Sequence, residues 1–139
     1  AIRKNAKKML SPFPYAGVKG MQKLAKKIAT FDKDSNPRYV INYLTHLVRM
    51  QEEIGTGGGG FRYLYAAFLN EAKHYAIDND KLEQASQLLT QSGDTLRELA
   101  LLCVQQCKHI DKLDGVEIAK RIQEVAGIEK EAFTLLKSI

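Results

Sequence analysis

The sequence predicts an all-α domain, an irregular bundle of five to seven helices. Three observations carry that prediction. Apolar residues recur at helical spacing through most of the 139 residues. No alternating apolar and polar run is bounded by hairpin turns, and there is no internal repeat or low-complexity tract. Polar caps, prolines and glycines break the pattern where helices should start and stop. The composition, 45% hydrophobic and 27% charged, is that of a folded globular chain rather than a disordered one. We read residues 1–139 as a single helical domain, with 1–17 as an entry helix and connector.

Each element has a local reason. Ile2, Ala6, Met9 and Leu10 mark a short helix ended by Ser11-Pro12, and Phe13 to Gly17 is turn-rich. Met21, Leu24, Ala25 and Ile28 form the stripe of a second helix, and Phe31 to Ser35 a polar turn. Asn36-Pro37 is a helix start, a cap followed by a residue that needs no amide donor. Val40, Tyr43, Leu44, Leu47 and Ile54 mark the buried face of this third helix. The fourth begins near Phe61, and its stripe of Phe61, Leu64, Tyr65, Phe68 and Ala72 is expected in the core. Ile77 to Asp80 is a turn. Leu82, Ala85, Leu89, Leu96, Leu99 and Cys103 then keep a helical rhythm through Ser92-Gly93, which either kinks one long helix or separates two, with Asp94 as the second cap. After a turn from Lys108 to Gly115, Val116, Ala119, Ile122, Ala126, Phe133 and Leu136 mark the last helix.

Between the third and fourth helices the chain reads Gly55-Thr56-Gly57-Gly58-Gly59-Gly60-Phe61-Arg62. Glycine loses the most conformational freedom on folding, so this run has to answer a need for positive φ or for close backbone approach. Leading into a helix N-terminus, its amides could hold an anion, with Arg62 adding a bidentate contact. The simpler reading is that glycine lets two helices, or a neighbouring domain, come close. The Lys-Ser/Thr ending of a phosphate-binding loop and the strand of a dinucleotide site are both absent. Gly57, Gly58, Gly59, Gly60, Phe61 and Arg62 form the candidate contact site. We expect Gly58 or Gly59 in a backbone conformation closed to other residues, and an anionic group near Arg62, whose place in a first helical turn otherwise opposes the helix dipole.

Charge is segregated. Residues 1–30 hold eight basic and no acidic residues, while the rest of the chain carries a net charge of −3. Lys4, Lys7, Lys8, Lys23, Lys26 and Lys27 are candidates for one face that attracts an acidic partner; a solvated lysine face is the plainer reading. Few arginines and no interleaved aromatics argue against nucleic acid. No apolar run is long enough to span a bilayer, and no signal-peptide pattern is present. The start at Ala1, inside a helical pattern, suggests a fragment or a processed product.

Chemistry-bearing residues do not assemble into a set. Cys103 and Cys107 lie four apart on one helical face, a poor geometry for a disulfide, so reduced thiols in a cytoplasmic protein are expected. Adding His109 gives no common zinc spacing and lacks a fourth ligand, so no metal or other cofactor is expected. His46 and His74 are isolated on helices. Glu52-Glu53 makes no defined acid–base pair. No catalytic residue is assigned.

Thr56-Gly57-Gly58-Gly59-Gly60-Phe61-Arg62, followed by Leu64-Tyr65-Ala66-Ala67-Phe68-Leu69-Asn70-Glu71-Ala72, resembles the signature of a bacterial domain of unknown function that follows the catalytic domain of BtrH-like proteins, the butirosin-biosynthesis acyltransferases. Ala1 to Ala6 and Gly17-Val18-Lys19-Gly20 also resemble the stretch entering that domain. The resemblance implies a non-catalytic accessory role. An N-terminal, papain-like cysteine domain absent from this chain would move an acyl group from a carrier protein to an amine. This domain would pack against it through the glycine turn and dock an acidic acyl carrier protein through the lysines. The alternative is an independent interaction module that binds an acidic protein or an anionic ligand.

Overall fold

The computed structural model describes residues 1–52 and 59–139. Among them are six α-helices: α1 Ile2–Met9, α2 Gly17–Ile28, α3 Pro37–Glu52, α4 Gly59–Ala72, α5 Asn79–Lys108 and α6 Gly115–Lys137. Single 3₁₀ turns, Lys73–Tyr75 and Ile110–Lys112, precede α5 and α6. The expected all-α bundle is what forms. No helix is long and apolar enough to cross a membrane among the described residues.

The caps follow local chemistry. Asn36 Oδ1 accepts from the Tyr39 amide at 3.2 Å at the start of α3. Asp114 Oδ1 accepts from the amides of Val116 and Glu117 at 3.1 and 3.3 Å at the start of α6. The last turns of α1 and α2 carry Lys7, Lys8, Lys26 and Lys27, where cations suit the carbonyl end of the dipole. The Gly115 amide donates to the Phe31 carbonyl at 3.1 Å, and a Cβ on Gly115 would come within 2.2 Å of the Ile28 carbonyl oxygen. The α2–α3 turn and the α6 start therefore meet backbone to backbone.

The antiparallel pair α5–α6 is the spine, and the other helices pack on it. Two apolar clusters lie along it. One is built from Ile28, Phe31, Val40, Leu44, Leu99, Cys103, Ile118, Ile122 and Val125, with α2 and α3 as its cover. The other holds Ala6, Ala66, Leu69, Leu82, Leu89, Ala132, Phe133 and Leu136, covered by α1 and α4. Between them, on facing positions of the spine, sit Ser92 and Glu129, both fully buried. Arg3 of α1 donates through Nε to the Ile139 backbone oxygen at 2.7 Å, tying the two ends of the chain together.

Several expectations change. Of the two readings of Ser92-Gly93, one long helix is what forms: α5 runs through it as a single helix of 30 residues, about 45 Å. Asp94 is not a cap. Val116, placed in the buried stripe, is exposed, and Ile118 and Val125 take its place. Phe31, read as part of a polar turn, is a core residue. Ile54 lies outside the described residues. The largest correction concerns α4. Phe61, Leu64 and Phe68 point to solvent, at 50%, 67% and 48% exposure, and the buried residues of that helix are Gly59, Ala66 and Leu69. Helical spacing put this stripe in the core; the structure turns Phe61, Leu64 and Phe68 outward and leaves only Tyr65 and Ala72 partly buried against the cluster.

The connector Leu10–Ala16 depends on one left-handed residue. Gly17 has φ +59°, and a Cβ there would stand 2.3 Å from the Met9 carbonyl oxygen. Gly17→Ala should therefore lower stability by at least about 1–2 kcal/mol, the cost of the left-handed conformation alone. Chemical denaturation of the two proteins measures it.

Candidate functional site

The start of α4 is the best-defined polar node of the molecule. Gly59, the first residue of the helix, faces Gly93 of α5: a Cβ on Gly59 would meet the Gly93 carbonyl oxygen at 3.2 Å. A Cβ on Gly93 would strike the Tyr63 ring at 2.8 Å. The two glycines thus form a notch in which α4 crosses α5 with backbones close together. This is the close-approach reading of the glycine run. Gly59 has no positive φ, since Gly17 alone does among the described residues; of the expectation placed on Gly58 or Gly59, only the Gly58 half remains, and it falls outside the described residues. Gly60 has open space around its Cα and is exposed. Gly57 and Gly58 lie outside the described residues.

One turn further on, Arg62 reaches into the spine. Its Nε donates to Glu129 Oε1 at 2.6 Å, and its terminal nitrogen to Glu129 Oε2 at 3.2 Å. The Ser92 hydroxyl adds a third bond to Glu129 Oε1 at 2.7 Å. The Glu129 side chain is inaccessible and that of Arg62 is 18% exposed. The anion expected near Arg62 is therefore present, and it is a carboxylate of this same chain. A bidentate guanidinium–carboxylate pair with an added hydroxyl donor is a geometry that compensates the desolvation of both ions.

Beside this node, the Tyr63 hydroxyl donates to Asp94 Oδ1, and the Arg97 guanidinium stacks 5.1 Å from the Tyr63 ring centre. The hydrogen bond to Asp94 holds the Tyr63 phenol above its ordinary pKa. Ser86 Oγ donates to the Ala66 carbonyl at 2.7 Å, a second tie between α4 and α5. These contacts fix the rotation of α4. They leave Phe61, Leu64 and Phe68 as an outward stripe, with Tyr65 stacked on Phe68 at 5.8 Å and tilted against Phe133 at 6.4 Å.

The lysines form a second region. Lys4, Lys7, Lys8, Lys23, Lys26 and Lys27 are all exposed, and among the described residues none is within salt-bridge distance of a carboxylate. Lys4, Lys7 and Lys8 line one groove with Phe13. Lys23 Nζ lies 3.8 Å over the Tyr15 ring, and Lys27 Nζ stands 5.9 Å from both the Phe31 and Tyr39 ring centres. The two helices' lysines are linked through the Phe13–Tyr15 pair, whose rings meet edge to face at 5.6 Å.

No catalytic arrangement appears among the described residues. No group of three or more His, Cys, Asp or Glu is placed to hold a metal. Both cysteines are free thiols. Burial, with Cys107 nearby, pushes the Cys103 thiol up to about 12, and burial raises Cys107 as well. A raised pKa means less thiolate at any given pH, the opposite of an activated nucleophile. His46, His74 and His109 are exposed.

A family model described as a domain of unknown function, DUF4872, matches residues 1–136. The chain belongs to that family. No curated protein and no solved structure matches it.

Sequence reasoning placed Arg62 correctly in the first turn of α4 but missed its partner. Glu129 was legible as a charge on an apolar face: Ile118, Ile122, Val125, Ala132 and Leu136 surround it at helical spacing. A carboxylate on such a face needs a cation.

Two measurements probe this DUF4872 domain directly. Arg62→Ala leaves Glu129 buried and uncompensated and should destabilise by about 3–5 kcal/mol, measured by denaturant unfolding. For the thiols, alkylation at pH 8 should modify Cys107 faster than Cys103, and Cys103 should react at an appreciable rate only on unfolding or as pH nears 12. Peptide mapping after timed alkylation reads both rates.

Proposed function

We propose that this domain is a non-catalytic accessory module of a longer, BtrH-like acyltransferase, in which a cysteine-dependent catalytic domain moves an acyl group from a carrier protein to an amine. The observation that carries the reading is the outward stripe of α4. Phe61, Leu64 and Phe68 lie at i, i+3 and i+7 on a helix whose opposite face is locked to the spine by Arg62 and Glu129. A rigid helix presenting an apolar row is the form of a helix-to-domain contact. The catalytic domain is the surface we assign to it. The likeness of Thr56 to Ala72 to the signature of that domain, and of Ala1 to Ala6 to its entry, supports the assignment. The raised pKa values of the buried Cys103 and partly buried Cys107 thiols are consistent with a domain that leaves the chemistry elsewhere.

In this reading Gly59 sets α4 against Gly93 of α5, and the stripe beginning at Phe61 faces the partner domain. The lysines of α1 and α2 steer an acidic carrier protein toward the shared site, acting mainly on association rate. The second reading, a stand-alone module for an acidic partner, draws on the lysine face alone.

Leu64→Asp and Phe68→Asp, made in the intact parent protein, test the first reading. Leu64 is two-thirds exposed and Phe68 about half, so the domain should remain folded, and Phe68→Ala should change its stability by about 1 kcal/mol or less. We expect the aspartates to release this domain from the catalytic domain, seen as independent melting transitions and faster proteolysis between the two, and to lower acyl transfer. Unchanged interdomain melting and unchanged transfer would remove the stripe from the interface and the accessory reading with it.

A further inference from the structure

The connector between α1 and α2 is stiff by construction. Pro12 and Pro14 fix φ at two of its positions. The Phe13 amide donates to Ser11 Oγ at 3.3 Å. Gly17 turns the chain beneath the Met9 carbonyl, and Gly20 lies so near the connector that a Cβ there would stand 3.1 Å from the Tyr15 carbonyl carbon. This pinned segment holds two aromatic rings in solvent, Phe13 at 56% and Tyr15 at 70% exposure. Exposed aromatics on a rigid loop lose little conformational freedom when a partner covers them, which makes them efficient anchors.

Phe13 also lines a wide-open groove of about 590 Å³, together with Lys4, Lys7, Lys8, Ser11 and Ala16. On α1, Lys4, Lys7 and Lys8 follow i, i+3 and i+4 spacing, so the row runs roughly 6 Å along the groove. Lys23 brings a further cation to the other side of the aromatic pair.

We infer that Phe13 and this groove form the anchor of a docking surface for an acidic helical segment of a partner protein, with Lys4, Lys7, Lys8 and Lys23 as its charged rim. A helix that carries carboxylates at i, i+3 and i+4 repeats the spacing of the lysine row. An apolar side chain on the same helix covers Phe13. The absence of any acidic residue in 1–30 leaves the charge uncompensated by its own neighbours in sequence. An anionic membrane fits less well. Ala6 is fully buried, and Ile2, Met9 and Leu10 pack against the core, so α1 has no apolar face left to insert. Single-stranded nucleic acid fits less well too, because the Tyr15 ring face is covered by Lys23 rather than open to a base. The biological setting of this surface rests on the accessory reading, but its chemistry does not: the interdomain test on α4 and the binding test below fail separately.

The experiment uses the full chain with two probes, a synthetic amphipathic helix bearing glutamates at i, i+4 beside a leucine stripe, and phosphatidylglycerol vesicles. Binding and its kinetics are read by surface-immobilised assay across a salt series. We expect the peptide to bind, with affinity falling as salt rises. Phe13→Ser should weaken it about tenfold, mainly by faster dissociation, with the helical melt unchanged. Lys7→Glu with Lys8→Glu should slow association and flatten the salt dependence. Absence of peptide binding, equal binding by Phe13→Ser, or binding to vesicles in preference to the peptide would each overturn the inference.

Discussion

Glu129 is the constraint on which the rest of the structure depends. A carboxylate with no solvent access in the middle of the α5–α6 spine is tolerable only if it is neutralised and hydrogen-bonded. Arg62 supplies both with its fork, and Ser92 fills a further acceptor site. These groups lie between the two apolar clusters, so the spine is not one continuous apolar seam. A sliding of α5 against α6 would pull Ser92 off Glu129, and a rotation of α4 would separate the ions, before either disturbed much apolar contact. The polar layer therefore specifies register, whereas the clusters on either side supply most of the burial.

The same constraint explains why α4 shows its aromatics to solvent. Arg62 can reach Glu129 only if the Gly59–Arg62–Ala66–Leu69 face turns inward. That face is small, and smallness suits it: Gly59 against Gly93 and Ala66 against Ser86 let the helices approach closely. The competing face, Phe61–Leu64–Phe68, offers more apolar area but would leave a buried carboxylate without its cation. Breaking that pair would cost about 3–5 kcal/mol, enough to offset what burying the exposed parts of Phe61, Leu64 and Phe68 would return. The outward stripe is thus the consequence of a packing decision made at the polar node, and it becomes the surface on which the accessory role is proposed.

Charge has been arranged on a different principle. The N-terminal lysines touch nothing acidic among the described residues; at the ends of α1 and α2 they match the helix dipoles, and Lys23 and Lys27 also stand over aromatic rings. The positive region and the apolar stripe of α4 therefore have separate physical origins. One follows from a segregated sequence, the other from the rotation of a helix.

Periodicity and caps determined the helical class, the helix starts at Pro37 and Gly115 to within a residue or two, and most of the core of α2, α3, α5 and α6, because those features depend on neighbours three or four positions away. The close approach at Gly59 was legible for the same reason, since glycine's lack of a side chain is a local property. The inward face of α4, the continuity of α5 through Gly93, the joining of Arg62 to a residue 67 positions later, and the exposure of Phe13 and Tyr15 were decided only by tertiary structure. Two faces of α4 had comparable local claims, and the charge that chose between them came from the far end of the chain.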